Sequence, residues 1–231
     1  MSRSLVLVFI ALSLSACSQF GRYHLEVGDE VRMQRGFVAY QGDGEQMLSH
    51  TIAVGFPGGL SYVYDLETGR LVGLWRGGYI NARGMWDGRG SGRFEPLGDV
   101  RFLAASQPLQ VGERDSNRFQ PRGYTIDELT GRPEFHYRLG DVDITDHVLP
   151  LPDSEGMQHS VTLSRLPDEM RYELLEAGSV KLHDDGSYAI DGKRMKISEI
   201  KGASPHIVER NGSEVLVLDI QDHTLRYSVS W

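Results

Sequence analysis

The chain has 231 residues, 24 Lys+Arg against 32 Asp+Glu, and a formal net charge of -8. That length supports one or two domains with a sizeable core. The acidic balance argues against a nucleic-acid binder and against a polybasic membrane-surface face. The 27 glycines exceed the usual share of roughly 7% and follow no collagen-like period, which points to many tight turns. The single cysteine excludes intrachain disulfides, Cys-rich zinc sites, c-type haem attachment and iron–sulfur clusters.

At the N-terminus, Arg3 precedes an apolar run from Leu5 to Leu14, followed by Ser15-Ala16-Cys17. A basic start, a short apolar run and small residues before a cut site describe a secretory signal, and the run is too short to span a bilayer stably. Leu14-Ser15-Ala16-Cys17 resembles the bacterial lipobox. That resemblance implies cleavage before Cys17, a diacylglyceryl thioether on its sulfur and acylation of the freed amine. Two or more acyl chains anchor stably where one does not. The coincidence of signal, lipobox and lone cysteine favours this reading over an ordinary signal peptide with a buried free thiol. In the lipobox family an Asp after the cysteine tends to retain the protein in the inner membrane. Ser18 stands there, which favours the outer membrane. The expected division is a signal peptide over 1–16, a lipidated and partly docked tether over 17–35, and one domain over 36–231.

Along the domain, Asp65–Arg70 and Asp127–Arg132 share the pattern Asp-x-x-Thr-Gly-Arg, which predicts two matching turns. Phe135, Tyr137 and Leu139 alternate with His136 and Arg138, and Val161 and Leu163 alternate with Ser160, Thr162 and Ser164. Both patterns predict half-buried strands. Asp168–Ala177 is ambiguous: Pro167 and Gly178 bracket it like a helix, yet Tyr172 and Leu174 alternate with charged residues. Asp185-Gly186, Asp191-Gly192 and Asn211-Gly212 read as turns, the last as a hairpin. Val215–Leu218 reads as a central strand covered on both faces. Leu225, Tyr227, Val229 and Trp231 form an alternating terminal strand facing the core. Many short strands at regular spacing predict an all-β fold, an antiparallel β-sandwich with little helix.

The densest chemistry lies between Tyr62 and Arg93. Trp75, Tyr79, Asn81, Trp86, Asp87 and Arg89 combine rings, an amide, a carboxylate and a guanidinium among glycines. Such a set suits a polyhydroxylated ligand, whose C–H faces stack on rings while its hydroxyls bond to side chains. The competing reading makes Trp75 a core residue. Gly88–Arg93 lacks the Lys-Ser/Thr ending of a phosphate loop. Asp141, Asp143 and Thr145 share one face of an extended segment, but the calcium-loop pattern fails at its required Gly and Glu, leaving a solvated or edge-protecting face. None of the eight histidines forms a zinc-protease pair, and no Gly-x-Ser-x-Gly elbow is present. No metal or cofactor is expected.

The run from His50 to Tyr62, with Leu74–Tyr79, Met85–Gly90 and Pro96–Gly98, resembles an uncharacterised β-rich domain of large bacterial secreted proteins. There it accompanies cytochrome c and sugar-dehydrogenase-like propeller modules. The resemblance covers about residues 36–165 and implies an exported β-sandwich of the supersandwich type, with no established activity and no catalytic residues to carry over. This chain has no Cys-x-x-Cys-His and no propeller repeats. Three functional readings follow. The first is a lipid-anchored envelope module binding a carbohydrate or similar polar ligand. The second is a scaffold or assembly lipoprotein that binds another envelope protein, such as a redox complex. The third is a sugar-active enzyme without a recognisable motif.

Overall fold

The computed structural model describes residues 22–40, 46–87, 92–103, 107–112, 119–192 and 194–231. Cys17, the signal segment and Arg89 lie outside the described residues.

In chain order the first strands are β1 (His24–Leu25), β2 (Arg32–Tyr40), β3 (Gln46–Gly55), β4 (Leu60–Asp65), β5 (Arg70–Arg76) and β6 (Gly78–Asn81). One turn of helix, α1 (Arg83–Trp86), separates these from β7 (Glu95–Leu97), β8 (Arg101–Phe102) and β9 (Leu109–Val111). Then come β10 (Phe119–Ile126), β11 (Pro133–Leu139), β12 (Val142–Pro150), β13 (Gly156–Leu163) and β14 (Met170–Ala177). The last are β15 (Val180–Leu182), β16 (Tyr188–Ile190), β17 (Met195–Lys201), β18 (Ala203–Arg210), β19 (Ser213–Ile220) and β20 (Thr224–Ser230). The fold is an all-β antiparallel sandwich, as the alternation and turn spacing predict.

Four sheets stack in layers. An eight-stranded sheet runs β10-β11-β12-β13-β20-β17-β16-β15. Its inner face, carrying Phe135, Ile144, Val161, Leu225, Tyr227 and Val229, shares one core with two smaller sheets. One of these is the five-stranded sheet β2-β3-β4-β5-β8, through Ile52, Tyr62, Tyr64 and Leu74. The other is the four-stranded sheet β18-β19-β14-β9, through Tyr172, Leu174, Leu216 and Leu218. The three-stranded sheet β1-β6-β7 covers the opposite face of the five-stranded sheet, enclosing a second core of Val63, Val72, Trp75, Tyr79 and Ile80. The five-stranded sheet is therefore buried on both sides, which is why all six residues of β4 are buried without alternation.

The segment read as a partly docked tether contributes, in its described part, β1 and the first residues of β2. Leu25 is buried and pairs with Ile80. The ambiguous stretch Asp168–Ala177 forms strand β14, with a bulge between Glu173 and Leu175. Its neighbours decide the matter, because β19 and β9 both take ladder hydrogen bonds from it and a helix could supply none. The two-residue loop Asn211-Gly212 joins β18 to β19, with φ of 52° and 85°, the doubly left-handed geometry that Asn-Gly favours. In both Asp-x-x-Thr-Gly-Arg turns the Asp side chain binds the loop: Asp65 takes the Glu67 amide and the Thr68 hydroxyl, and Asp127 takes the Leu129 and Thr130 amides and the Thr130 hydroxyl.

Candidate functional site

The residues chosen from the sequence do not assemble into one ligand surface. Trp75 on β5 is fully buried, and its indole N–H donates to the carbonyls of Gly78 and Tyr79 at 3.0 and 3.1 Å. Tyr79 is buried beside it and donates its hydroxyl to the Ala53 carbonyl at 2.7 Å. Both belong to the second core, so neither ring can serve as a stacking platform. This corrects the expectation for Trp75 and Tyr79. The three-stranded sheet closing over β5 is the cause, and no local pattern in the sequence announces that cover.

Asn81 ends β6 and accepts the Arg83 amide on its side-chain oxygen at 3.0 Å. Asp87 pairs with Arg83 at 3.2 Å on the solvent side of α1. Trp86, the last residue of α1, is 52% exposed. Of the described members of the set, Asn81 is half-buried and Trp86 and Asp87 are exposed, apart from the buried Trp75 and Tyr79 rings. Trp86→Ala should change folding stability by no more than about 0.5 kcal/mol, as for surface positions generally. A chemical denaturation midpoint shifted by several times that amount would contradict the exposure.

The acidic run on β12 is divided by the strand's alternation. Asp143 on the outer side takes a two-pronged ion pair from Arg138 at 2.8 and 3.1 Å, and Asp141 pairs with Arg165. Among the described residues no group of three or more His, Cys, Asp or Glu side chains could hold a metal ion. No helix among them is long and apolar enough to cross a membrane.

Asp146 points the other way, into the core, with no exposure. Its carboxylate accepts the Tyr64 hydroxyl at 2.8 Å and meets Nε2 of His159 at 2.5 Å. The other ring nitrogen of His159 meets the Tyr227 hydroxyl at 2.6 Å. Burial, and after it the Asp146 charge, push the Tyr64 and Tyr137 phenols well above their ordinary range, so they stay protonated. Asp146 and His159 on the eight-stranded sheet thus hold Tyr64 of the five-stranded sheet. With zero exposure, neither group can meet a substrate, and the cluster works as an internal tie. The signal for it was available: Asp146 shares strand parity with Ile144 and Val148, and His159 shares it with Val161 and Leu163.

The concavity best suited to a ligand lies elsewhere. A groove of about 540 Å³ is lined by Arg76, Glu155, His183, Asp185, Lys196 and Trp231, among others. In its floor, Lys196 of β17 pairs across the sheet with Ala189 of β16 on one side and Ser230 of β20 on the other. The small side chains of Ala189 and Ser230 leave the sheet surface hollow between longer neighbours. Trp231 is half-buried against the main core, and the Arg76 guanidinium lies 5.1 Å from its ring centroid. The Asp185 carboxyl is held well below the usual carboxylate range by the Ser187 hydroxyl and amide and then by Lys196. It accepts those groups at 2.5, 3.0 and 3.0 Å, so it is an ordered, ionised acceptor at neutral pH. The groove thus offers an indole, a fixed carboxylate, hydroxyls, an imidazole and two cations. Sequence reading missed it because its lining comes from β5, β16, β17 and β20 and the loops beside them.

No protein-family model matches the chain, and no curated protein matches it. The functional reading rests on the geometry and the sequence features.

Proposed function

We propose that this protein is a lipid-anchored module of the bacterial envelope that binds a carbohydrate or similar polar ligand, with the outer membrane as its site. The Trp231 groove takes the place of the ring set first expected around Trp75. The single observation that carries the reading is the pairing of an indole with ordered polar groups in one concavity, the composition through which a polyol is held by stacking and hydroxyl hydrogen bonds. The anchor reading rests on the lipobox-like sequence ending at Cys17. The sugar-active enzyme reading gains no support. The buried carboxylates among the described residues are Asp65, Asp146 and Glu173. They are engaged by Arg70, by His159 and by Arg210 respectively.

A soluble form beginning at Ser18 is the material for the test. A glycan panel read by tryptophan fluorescence should return at least one ligand. Trp231→Ala should weaken its binding by about 1–3 kcal/mol, the scale of losing a large aromatic contact. Because Trp231 also touches the core, Asp185→Asn is the companion variant; it should weaken the same ligand and lower the melt only slightly, since the pair with Lys196 is exposed and the Asn oxygen still accepts from Ser187. A panel without a binder, or a binder indifferent to both substitutions, would defeat the proposal.

One observation favours the scaffold reading as a second function. β18 is an edge strand of eight residues with Ile207 and Val208 exposed at 38% and 37%. Such an edge can accept a strand from a partner protein. Pro205 on it limits the ladder that could form. Crosslinking from position 207 in envelope preparations would capture that partner.

A further inference from the structure

We propose that the surface around Trp86 rests in the headgroup layer of the membrane that holds Cys17; the proposal stands on the anchor reading above. The start of the described chain is tied to α1. The Tyr23 carbonyl accepts the Ala82 amide at 2.8 Å, and the following residues of β1 pair His24 with Asn81 and Leu25 with Ile80. Cys17 is six residues before Tyr23, so no chain conformation can separate them by more than about 20 Å. From Ala82 the helix rises only about 6 Å to Trp86. A lipid on Cys17 therefore leaves α1 within a short reach of the bilayer surface.

The side chains there suit that position. Trp86 is 52% exposed and Phe37 is 37% exposed. Met85, the neighbour of Trp86 on α1, lies against Gly36 of β2, while the Phe37 ring lies beside Gly92. Arg22 lies at the base of the tether, 6.0 Å from the Tyr23 ring, and Arg83 is exposed one turn before Trp86. An indole, with an apolar body and a polar N–H edge, flanked by long cationic side chains, is the composition that settles at a membrane–water interface. Asp87 pairs with Arg83, so attraction to anionic lipid is weak and the indole supplies the affinity. One exposed indole would not hold a free protein on a bilayer. Tethered within about 20 Å, it meets the interface at high effective concentration, and a weak contact becomes well populated.

The test uses the full chain from a bacterial host with the lipoprotein pathway, its acylation read by intact mass. The protein is reconstituted in phosphatidylethanolamine–phosphatidylglycerol vesicles, with or without bromine on the upper acyl chains. Bromine should quench part of the tryptophan emission. Trp86→Phe should abolish that quenching, while Trp231→Phe should leave it intact. An acylated protein whose emission is indifferent to bromine, or whose quenching survives Trp86→Phe, overturns the proposal and leaves the anchor standing. A Cys17 found without acyl groups overturns both. A matching melt for Trp86→Phe shows that the variant is folded.

Discussion

A chain cut after Thr224 should yield no folded protein. β20 lies between β13 and β17 inside the eight-stranded sheet, so its removal separates β10–β13 from β15–β17. It also takes Leu225, Tyr227 and Val229 out of the core, all at or below 1% exposure. At ~1.5–3 kcal/mol for each large buried side chain, the loss is roughly 5–9 kcal/mol before the ladder is counted. A domain's whole stability is about 5–15 kcal/mol. The cut further exposes β13 and β17 as unprotected edges, which favours aggregation. Calorimetry should show no cooperative transition. Leu225→Ala gives a graded version, expected to cost about 2–5 kcal/mol. A truncated chain with the wild-type melt would refute the arrangement of the sheet.

The second large effect is expected at Asp146. Asp146→Ala removes the acceptor of the Tyr64 hydroxyl and the partner of His159 Nε2 at a position with no solvent to replace either. Leaving a buried polar group without its partner costs about 1–3 kcal/mol, and this change strands both the Tyr64 hydroxyl and His159 Nε2, so a loss of about 2–5 kcal/mol is expected. Tyr64→Phe deletes only one donor and should cost less, about 1–3 kcal/mol. If the cluster is a single tie between sheets, the double variant should destabilise by less than the sum of the two. Urea unfolding of the three variants measures this directly. An Asp146→Ala protein within 1 kcal/mol of the wild type would show that the carboxylate carries no such role.

The two tryptophans selected from the sequence show where local reasoning stops. Trp75 and Trp86 are set in similar surroundings, each near arginine and glycine. One is sealed in a core and the other is half exposed on a one-turn helix. The difference comes from β1, β6 and β7 folding back across β5. Neither the periodicity nor the composition of the segment records that event. The groove beside Trp231 is a similar case: Arg76 and Trp231 are far apart in the chain and come from different sheets, and only the packing of those sheets makes them neighbours.

What the sequence determined by itself was local: strands by alternation, as in β11 and β20, and turns by residue type, as in Asn211-Gly212 and the two Asp-x-x-Thr-Gly-Arg loops. These depend on backbone sterics and on hydrogen bonds within a few residues, so a short window contains their cause. The proposed export and lipidation also rest on contiguous residues, those up to Cys17. The tertiary structure alone decided which faces were covered twice, which partners met the inward Asp146, and that Asp168–Ala177 became a strand. Tyr64 and Asp146 are 82 residues apart, and His159 and Tyr227 are 68 apart. Such pairs form only when separate sheets close on a shared core, because the low-dielectric interior then forces each buried polar group to find a partner.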